Sequence, residues 1–534
     1  MNHIKKIAFA AVGLLALSGC KKFVDVNQNP NSATETKAAF VLTGALGTTY
    51  RNQVGGNLNI TPGSWVGYYA LSNSYTGGGN VKTYEFTNAD FNAFDGLFDN
   101  IADYSFVIAN ADRDGVPFWK EPANIMQCMV FQQLVDLYGD VPYADALKGA
   151  ANITPAYTPQ KTIYEDLVVR LDSSMARISR STWPTDASIT GQDVIFQGNR
   201  DKWIRFANTL KLRILMRQSF MVGRESYIST NINNTLARGF LLENVLITPG
   251  YQNIAGKLNP FYANNGYNEL NNVVGGHQQN KVGAPMVNWL KTSVTTNAQP
   301  QASGSPAATI NADTFRLQSI AWPVGTQPNA PSNTLSSYVG IPLGSGSGFA
   351  TTGSSPIGPL QVQVGFGTRP GMVMLLSEGL LLQAEAAQRY GIAFAGGTPQ
   401  ALYEAAITAH FRICAAPSTI GTAANALADA AAVRYYSRPL PNVNWVASTD
   451  KVKAILIQKW VSLIHISGLE AWSEYRKSSG STSVGVPISV RTVASTSNPE
   501  PVRYLYPQTE LDVNTNNVPT NISRFTSKIF WDVN

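Results

Sequence analysis

GNRDKWIRFANTLKLRILMR, residues 198–217, is the stretch on which the fold turns. From Asp201 onward, Trp203, Phe206, Ala207, Leu210 and Ile214 recur at intervals of one to four. That spacing gathers apolar side chains onto one face of an α-helix, which must then be buried against a neighbour. The same signal lies on both sides of it. Residues 158–178 carry Ile163, Leu167, Leu171, Met175 and Ile178 on one face, with Thr158 suited to the N-cap and Pro159 to the first helical position. Residues 91–111 read as a further helix.

Downstream, residues 372–390 and 399–415 form a helical hairpin. Gly391 stands where a helix ends in the left-handed conformation, and Thr398-Pro399 opens the next helix. The pair has the size of a tetratricopeptide-like unit. A last strong helix spans residues 451–476. The chain is therefore mostly α.

The middle is different. Residues 248–367 are rich in Gly, Asn, Pro, Ser and Thr, with GSGSGFATTGSSPIGP (residues 344–359) the extreme, and helical periodicity survives only at 285–291. So long an irregular stretch inside a compact chain is functional or disordered. Its scattered aromatics (Tyr251, Phe261, Tyr262, Tyr267, Trp289, Trp322 and Tyr338) predict a large, ordered, ligand-facing insert.

The amino terminus, MNHIKKIAFAAVGLLALSGC, reads as a lipoprotein signal. Lys5 and Lys6 precede an apolar core too short to span a membrane, which takes about 20 residues as a helix. Leu17-Ser18-Gly19-Cys20 is a small-residue cleavage site ending in cysteine. Cleavage would remove residues 1–19 and leave Cys20 to take a thioether-linked diacylglycerol and a further palmitate-like acyl chain. Two or more chains give durable anchoring where one is marginal. Residues 20–36, with the turn-rich NQNPN, read as the tether, and residues 37–534 as the body.

Composition narrows the function classes. Charged residues make up only 14% and the net charge of +6 is spread along the chain, which argues against nucleic acid. Two cysteines remain after Cys20, namely Cys128 and Cys414, both in apolar helical segments where a thiol behaves as a small hydrophobe. With four histidines and no CxxC spacing, no metal site and no cofactor are expected. No G-x-S-x-G elbow, phosphate-binding loop or H-E-x-x-H is present. Asp95 and Asp99 fit a solvated helix face better than a pair flanking a glycosidic bond. A binding protein is expected, not an enzyme.

Four segments occur in order: DLYGDVPY (136–143), GNRDKWIRFANTLKLRILMR (198–217), QKWVSLIHISGLEAWSEYRKSSG (458–480) and VRYLYPQTELDVNTNNV (502–518). Together with the lipobox and NQNPN they resemble the SusD/RagB family of outer-membrane nutrient-binding lipoproteins, in particular its SusD-like branch. The resemblance implies a scaffold of tetratricopeptide-like helix pairs, at about residues 37–247 and 368–534, around the insert at about 248–367. It implies a lipid-anchored protein at the cell outer membrane, facing the exterior, which passes glycans to a SusC-like TonB-dependent β-barrel transporter. Peptide cargo, and a helical scaffold organising surface enzymes, are the alternatives. The family's motifs are architectural, so Trp203, Trp460, Trp472 and Tyr506 are expected in the core.

Sugars stack their C–H faces on aromatic rings and need amide partners for their hydroxyls. GSWVGYYALSNSYTGGGNVKTYEF (63–86) and NPFYANNGYNELNN (259–272) have this mixture. The expected ligand contacts are Trp65, Tyr68, Tyr69, Tyr75, Tyr262, Tyr267, Asn268 and Trp322, against the competing reading that these rings pack loops onto the scaffold.

Overall fold

A computed structural model describes residues 36–75, 78–292, 313–325, 331–332, 334–346, 348–415, 422–478, 489–491 and 500–533. The expected signal at 1–19, the expected lipidation site Cys20 and the expected tether up to residue 35 lie outside the described residues. The longer helices are α1 (Ala38–Val54), α2 (Phe94–Asn110), α3 (Lys120–Tyr138), α4 (Gln160–Arg180), α5 (Arg200–Met216), α6 (Glu225–Thr235), α7 (Leu376–Tyr390), α8 (Pro399–Ala415), α9 (Thr422–Tyr436), α10 (Lys451–Leu463) and α11 (Gly468–Lys477). They pack largely as sequential neighbours: α1 on α2, α2 on α3, α3 on α4, α4 on α5, α7 on α8 and α8 on α9. The contact of α10 with α7 brings the carboxy-terminal helices onto this array. Among the described residues, no helix is long and apolar enough to cross a membrane.

The periodic stretches fold as helices for the reason their spacing gives. Trp203, Phe206, Ala207, Leu210 and Ile214 of α5 are all fully buried, and the Asn199 side chain caps the helix by accepting from the Lys202 N–H at 3.0 Å. Helix α7 stops at Gly391 (φ 67), whose N–H returns to the Ala387 carbonyl. Trp460, Trp472 and Tyr506 are buried with Trp203.

Several boundaries differ from expectation, and α2 begins at Phe94, not at Phe91, whose φ is 54. Helix α4 starts at Gln160, not at Pro159, because Thr158 belongs to a two-residue strand β3 (Tyr157–Thr158) paired with β2 (Val141–Pro142). The cap comes instead from Asp140, whose carboxylate accepts the Gln160 N–H at 2.9 Å. The apolar run before α7 is strand β6 (Gly371–Met374), antiparallel to β4 (Val245–Ile247); a short apolar run does not itself tell strand from helix. The last helix is broken in two between Leu463 and Gly468, with His465 at φ 63.

The insert contains short ordered elements: helices Pro260–Asn265, Gly275–Gln279, Ala284–Thr292 and Thr314–Ile320, and strand β5 (Asn280–Val282). Strand β5 pairs antiparallel with β1 (Tyr69–Leu71), in the register Tyr69 opposite Val282 and Leu71 opposite Asn280. Cys128 and Cys414 are free, buried thiols, pushed up to about 11 and about 12 by burial.

The four sequence segments meet inside the scaffold. Arg213 of α5 forms a two-pronged pair with Glu378 of α7, at 2.7 and 2.9 Å. Arg217, one turn later, bonds Glu470 and Glu474 of α11, the latter at 2.7 Å, and lies 3.5 Å from Asp136 at the end of α3. Lys459 of α10 and Lys477 of α11 both donate to Glu385 of α7. Every one of these side chains is at most 9% exposed. Burial alone would raise the Glu385 carboxyl, but Lys477, Lys459 and Arg389 overcome it and hold it at about 2. The fourth segment docks beside this network. The Tyr504 N–H donates to the Leu137 carbonyl, and the Tyr506 hydroxyl to that of Asp140 at 2.7 Å. Gly139 (φ 78) supplies the left-handed turn between these contacts.

Candidate functional site

Strand β1 contains Tyr69, with Trp65 and Tyr68 before it and Tyr75 after it, and the structure sorts the expected contacts by exposure. Trp65 is 4% exposed, at the centre of an aromatic cluster. Its ring lies 4.9 Å from Trp472, 5.7 Å from Phe86 and 5.8 Å from Tyr504, centroid to centroid. Its indole N–H donates to the Val81 carbonyl at 3.2 Å. The Tyr68 hydroxyl is bonded to the Trp460 carbonyl. Tyr262 and Tyr267 are buried 6.0 Å apart, Tyr267 beside His277, and Trp322 donates to the Val362 carbonyl at 2.9 Å. These rings offer no open face to a sugar in this conformation, because each was drawn into the packing of loop on scaffold.

Tyr69 is buried for a more specific reason. His465, in the break between α10 and α11, places Nε2 at 2.8 Å from the Ile320 carbonyl and Nδ1 at 3.0 Å from the Tyr69 hydroxyl. A carbonyl only accepts, so Nε2 carries the proton and Nδ1 accepts from tyrosine. Burial pushes this ring down to about 4, which keeps it neutral. The break thus ties the scaffold to β1 on one side and to the insert on the other.

Tyr75 and Asn268 remain partly open. The Tyr75 hydroxyl donates to Gln278 Oε1 at 2.7 Å, which fixes the ring while leaving part of it in solvent. The turn bearing Tyr75 is stitched to two others. The Ser72 N–H donates to the Gln279 carbonyl (2.9 Å), the Asn73 N–H to the Phe349 carbonyl (2.8 Å), and the Thr351 N–H to Ser74 Oγ (3.2 Å). Residues 72–75, 278–279 and 349–351 therefore form one rim at the end of the β1–β5 pair. It presents Tyr75, a half-buried Phe349, and the exposed Ser74 and Gln278. The Asn73 side-chain nitrogen is shielded from solvent and has no hydrogen-bond partner among the described residues. Asn268 lies on a separate tight turn, where its carboxamide oxygen accepts the Leu270 and Asn272 N–H groups; the structure does not bring it to Tyr75 through any hydrogen bond.

Phe349 and Gln278 were not among the expected contacts. Phe349 is the lone aromatic in GSGSGFATTG, and a single ring amid small polar residues was the available signal. Gln278 carried none. Asp95 and Asp99 are exposed on α2. Among the described residues, no three His, Cys, Asp or Glu side chains converge as a metal-ligand set. A rim of this kind can stack an apolar ring face and hydrogen-bond its substituents; among the described residues it holds no nucleophile paired with a base.

A family profile described as "Starch-binding associating with outer membrane" matches residues 30–292 and 313–507. No curated protein matches the sequence significantly. Among solved structures, a chitin-binding protein superposes with a TM-score of 0.68 at 21% identity, over 93% of this chain and 99% of its own. A SusD/RagB family protein from Bacteroides thetaiotaomicron gives a TM-score of 0.69 at 17% identity, over 93% and 99%. A chitin-binding SusD homolog from Flavobacterium johnsoniae gives 0.67 at 19%, over 92% and 99%. At these identities the likeness is one of fold.

Proposed function

Because the chain belongs to the SusD-like family, described as starch-binding and associating with the outer membrane, we propose that it is a cell-surface lipoprotein, anchored through Cys20, that captures glycans and hands them to a SusC-like TonB-dependent barrel. The observation that carries the ligand class is the rim. Tyr75 is held by Gln278 with part of its ring in water, beside Phe349 and a set of hydroxyl and amide groups. A sugar needs such a surface, with an apolar face to stack on and neutral donors and acceptors around it. The chitin-binding proteins that share the fold support a glycan over a peptide. Asn268 and the turn around it, which precede the helix Gly275–Gln279 that carries Gln278, form the second candidate contact region.

The test is a titration of the protein against panels of neutral glycans and of peptides, with Tyr75→Ala alongside. Glycan binding that weakens by about tenfold in the variant, the loss of one stacking contact and its hydrogen bond, supports the reading. Binding to peptides alone, or glycan binding indifferent to Tyr75, counts against it.

A further inference from the structure

The rim has a charged flank. Lys82 lies in the short helix Gly79–Thr83, between two residues with left-handed backbone, Gly78 (φ 70) and Tyr84 (φ 63). A tyrosine keeps that conformation only where its surroundings enforce it. Here they are residues 489–491. The Ser489 N–H donates to the Tyr84 hydroxyl at 2.9 Å, the Ser489 hydroxyl to the Lys82 carbonyl, and the Val490 N–H to the Leu343 carbonyl at 3.0 Å. Arg491 is thereby laid across the glycine-rich turn at 344–346, so closely that a Cβ on Gly346 would run into its guanidinium. That turn continues to Phe349 and Thr351, the residues that stitch the rim together.

Two cations therefore share one place beside the rim. Burial, and then the charge of Arg491, push the Lys82 amine down. Lys82 is 7% exposed, whereas Arg491 is exposed. Neither forms an ion pair with a carboxylate among the described residues. Glu500 acts on Tyr84, but its carboxylate accepts from the Tyr475 hydroxyl, at 2.9 and 3.0 Å. The scaffold's enclosed cations Arg213, Arg217, Lys459 and Lys477 are met by carboxylates, whereas Lys82, like Lys281, is met by none among the described residues. Two adjacent positive charges without a counter-ion among the described residues repel each other and favour an external anion.

We propose that the rim takes glycans bearing an anionic substituent, a uronate carboxylate or a sulfate ester, whose charge is met by Lys82 and Arg491. The guanidinium fork matches the paired oxygens of either group. This inference rests on the glycan reading above and narrows it to acidic polysaccharides.

The full-length protein in detergent is titrated with oligogalacturonate, κ-carrageenan oligosaccharides, neutral oligosaccharides of equal length, and oligoglutamate. Acidic glycans are expected to bind about tenfold more tightly than neutral ones, less so as salt rises. Whether the uronate or the sulfate arm shows the preference identifies the group. Arg491→Glu, an exposed change whose folding is checked by thermal melting, should remove most of the preference, and Lys82→Gln part of it. Equal affinity for acidic and neutral glycans, or a preference that survives Arg491→Glu, overturns this inference and leaves the glycan reading standing. Binding of oligoglutamate with no glycan bound, or no binding to any glycan, overturns both.

Discussion

Three of the four histidines, His277, His410 and His465, are buried, and each is held neutral. Burial pushes His277 and His465 down to about 4 and places His410 well below its ordinary range. In the unfolded chain each ring takes up a proton near pH 6.5, whereas the fold withholds it from all three, and from His277 and His465 until about pH 4. The unfolded state therefore binds more protons across that window, so stability falls as pH drops from about 6.5 to about 4. Denaturant unfolding at intervals from pH 7.5 to 4 should show that decline; a flat profile would mean that the rings take up protons without leaving the interior. Residue type was legible at this scale and exposure was not. Trp65, Tyr68 and Tyr75 share one aromatic, Gly- and Ser-rich neighbourhood, yet only Tyr75 keeps part of its ring in water. What separates them is contact with Trp460, Trp472 and Tyr504, which stand about 400 residues away in sequence.

Helices announced themselves where their apolar spacing ran long enough and their ends were marked. Helix α8 spans Pro399–Ala415 as its proline and periodicity indicate, and α5 needs only the shift of its start to Arg200. The division of residues 451–476 into α10 and α11 is marked in the sequence only by Ser467, whose hydroxyl caps α11 by accepting the Glu470 N–H at 3.3 Å, and it is held from outside. The backbone freed at the break is taken up by distant groups. The Gln53 amide donates to the Ile466 carbonyl, and Asn59 Oδ1 accepts the Gly468 N–H at 2.8 Å. Gly468 also comes so close to the residue 59–63 backbone that a Cβ would stand 2.7 Å from the Gly63 nitrogen. Gly468→Ala is accordingly expected to destabilise the protein by about 2 kcal/mol or more, since backbone on both sides must move. A melting temperature unchanged by this substitution would show that the contact can relax.

Across the whole molecule, the buried ion network joins α3, α5, α7, α10 and α11. Desolvating charge is costly, and such networks hold only when every member is met. Removing one member strands its partners: Arg217→Ala leaves Glu470, Glu474 and Asp136 short of a cation and should cost about 3–5 kcal/mol, read as a fall in denaturant midpoint. Replacing Arg217 without loss of midpoint would show that the remaining lysines suffice. The long separations have a further consequence for how the chain acquires its structure. Arg476 donates to the Asp136 carbonyl across 340 positions, and Glu470 meets Arg217 across 253. As the chain emerges from its amino terminus, the charges on α3 and α5 wait for partners that arrive only near residue 477. The early helices cannot settle one after another, as independent repeats do. For export as proposed above this delay would be useful, because the polypeptide would stay threadable until almost all of it had crossed, and would then fold in a single cooperative event.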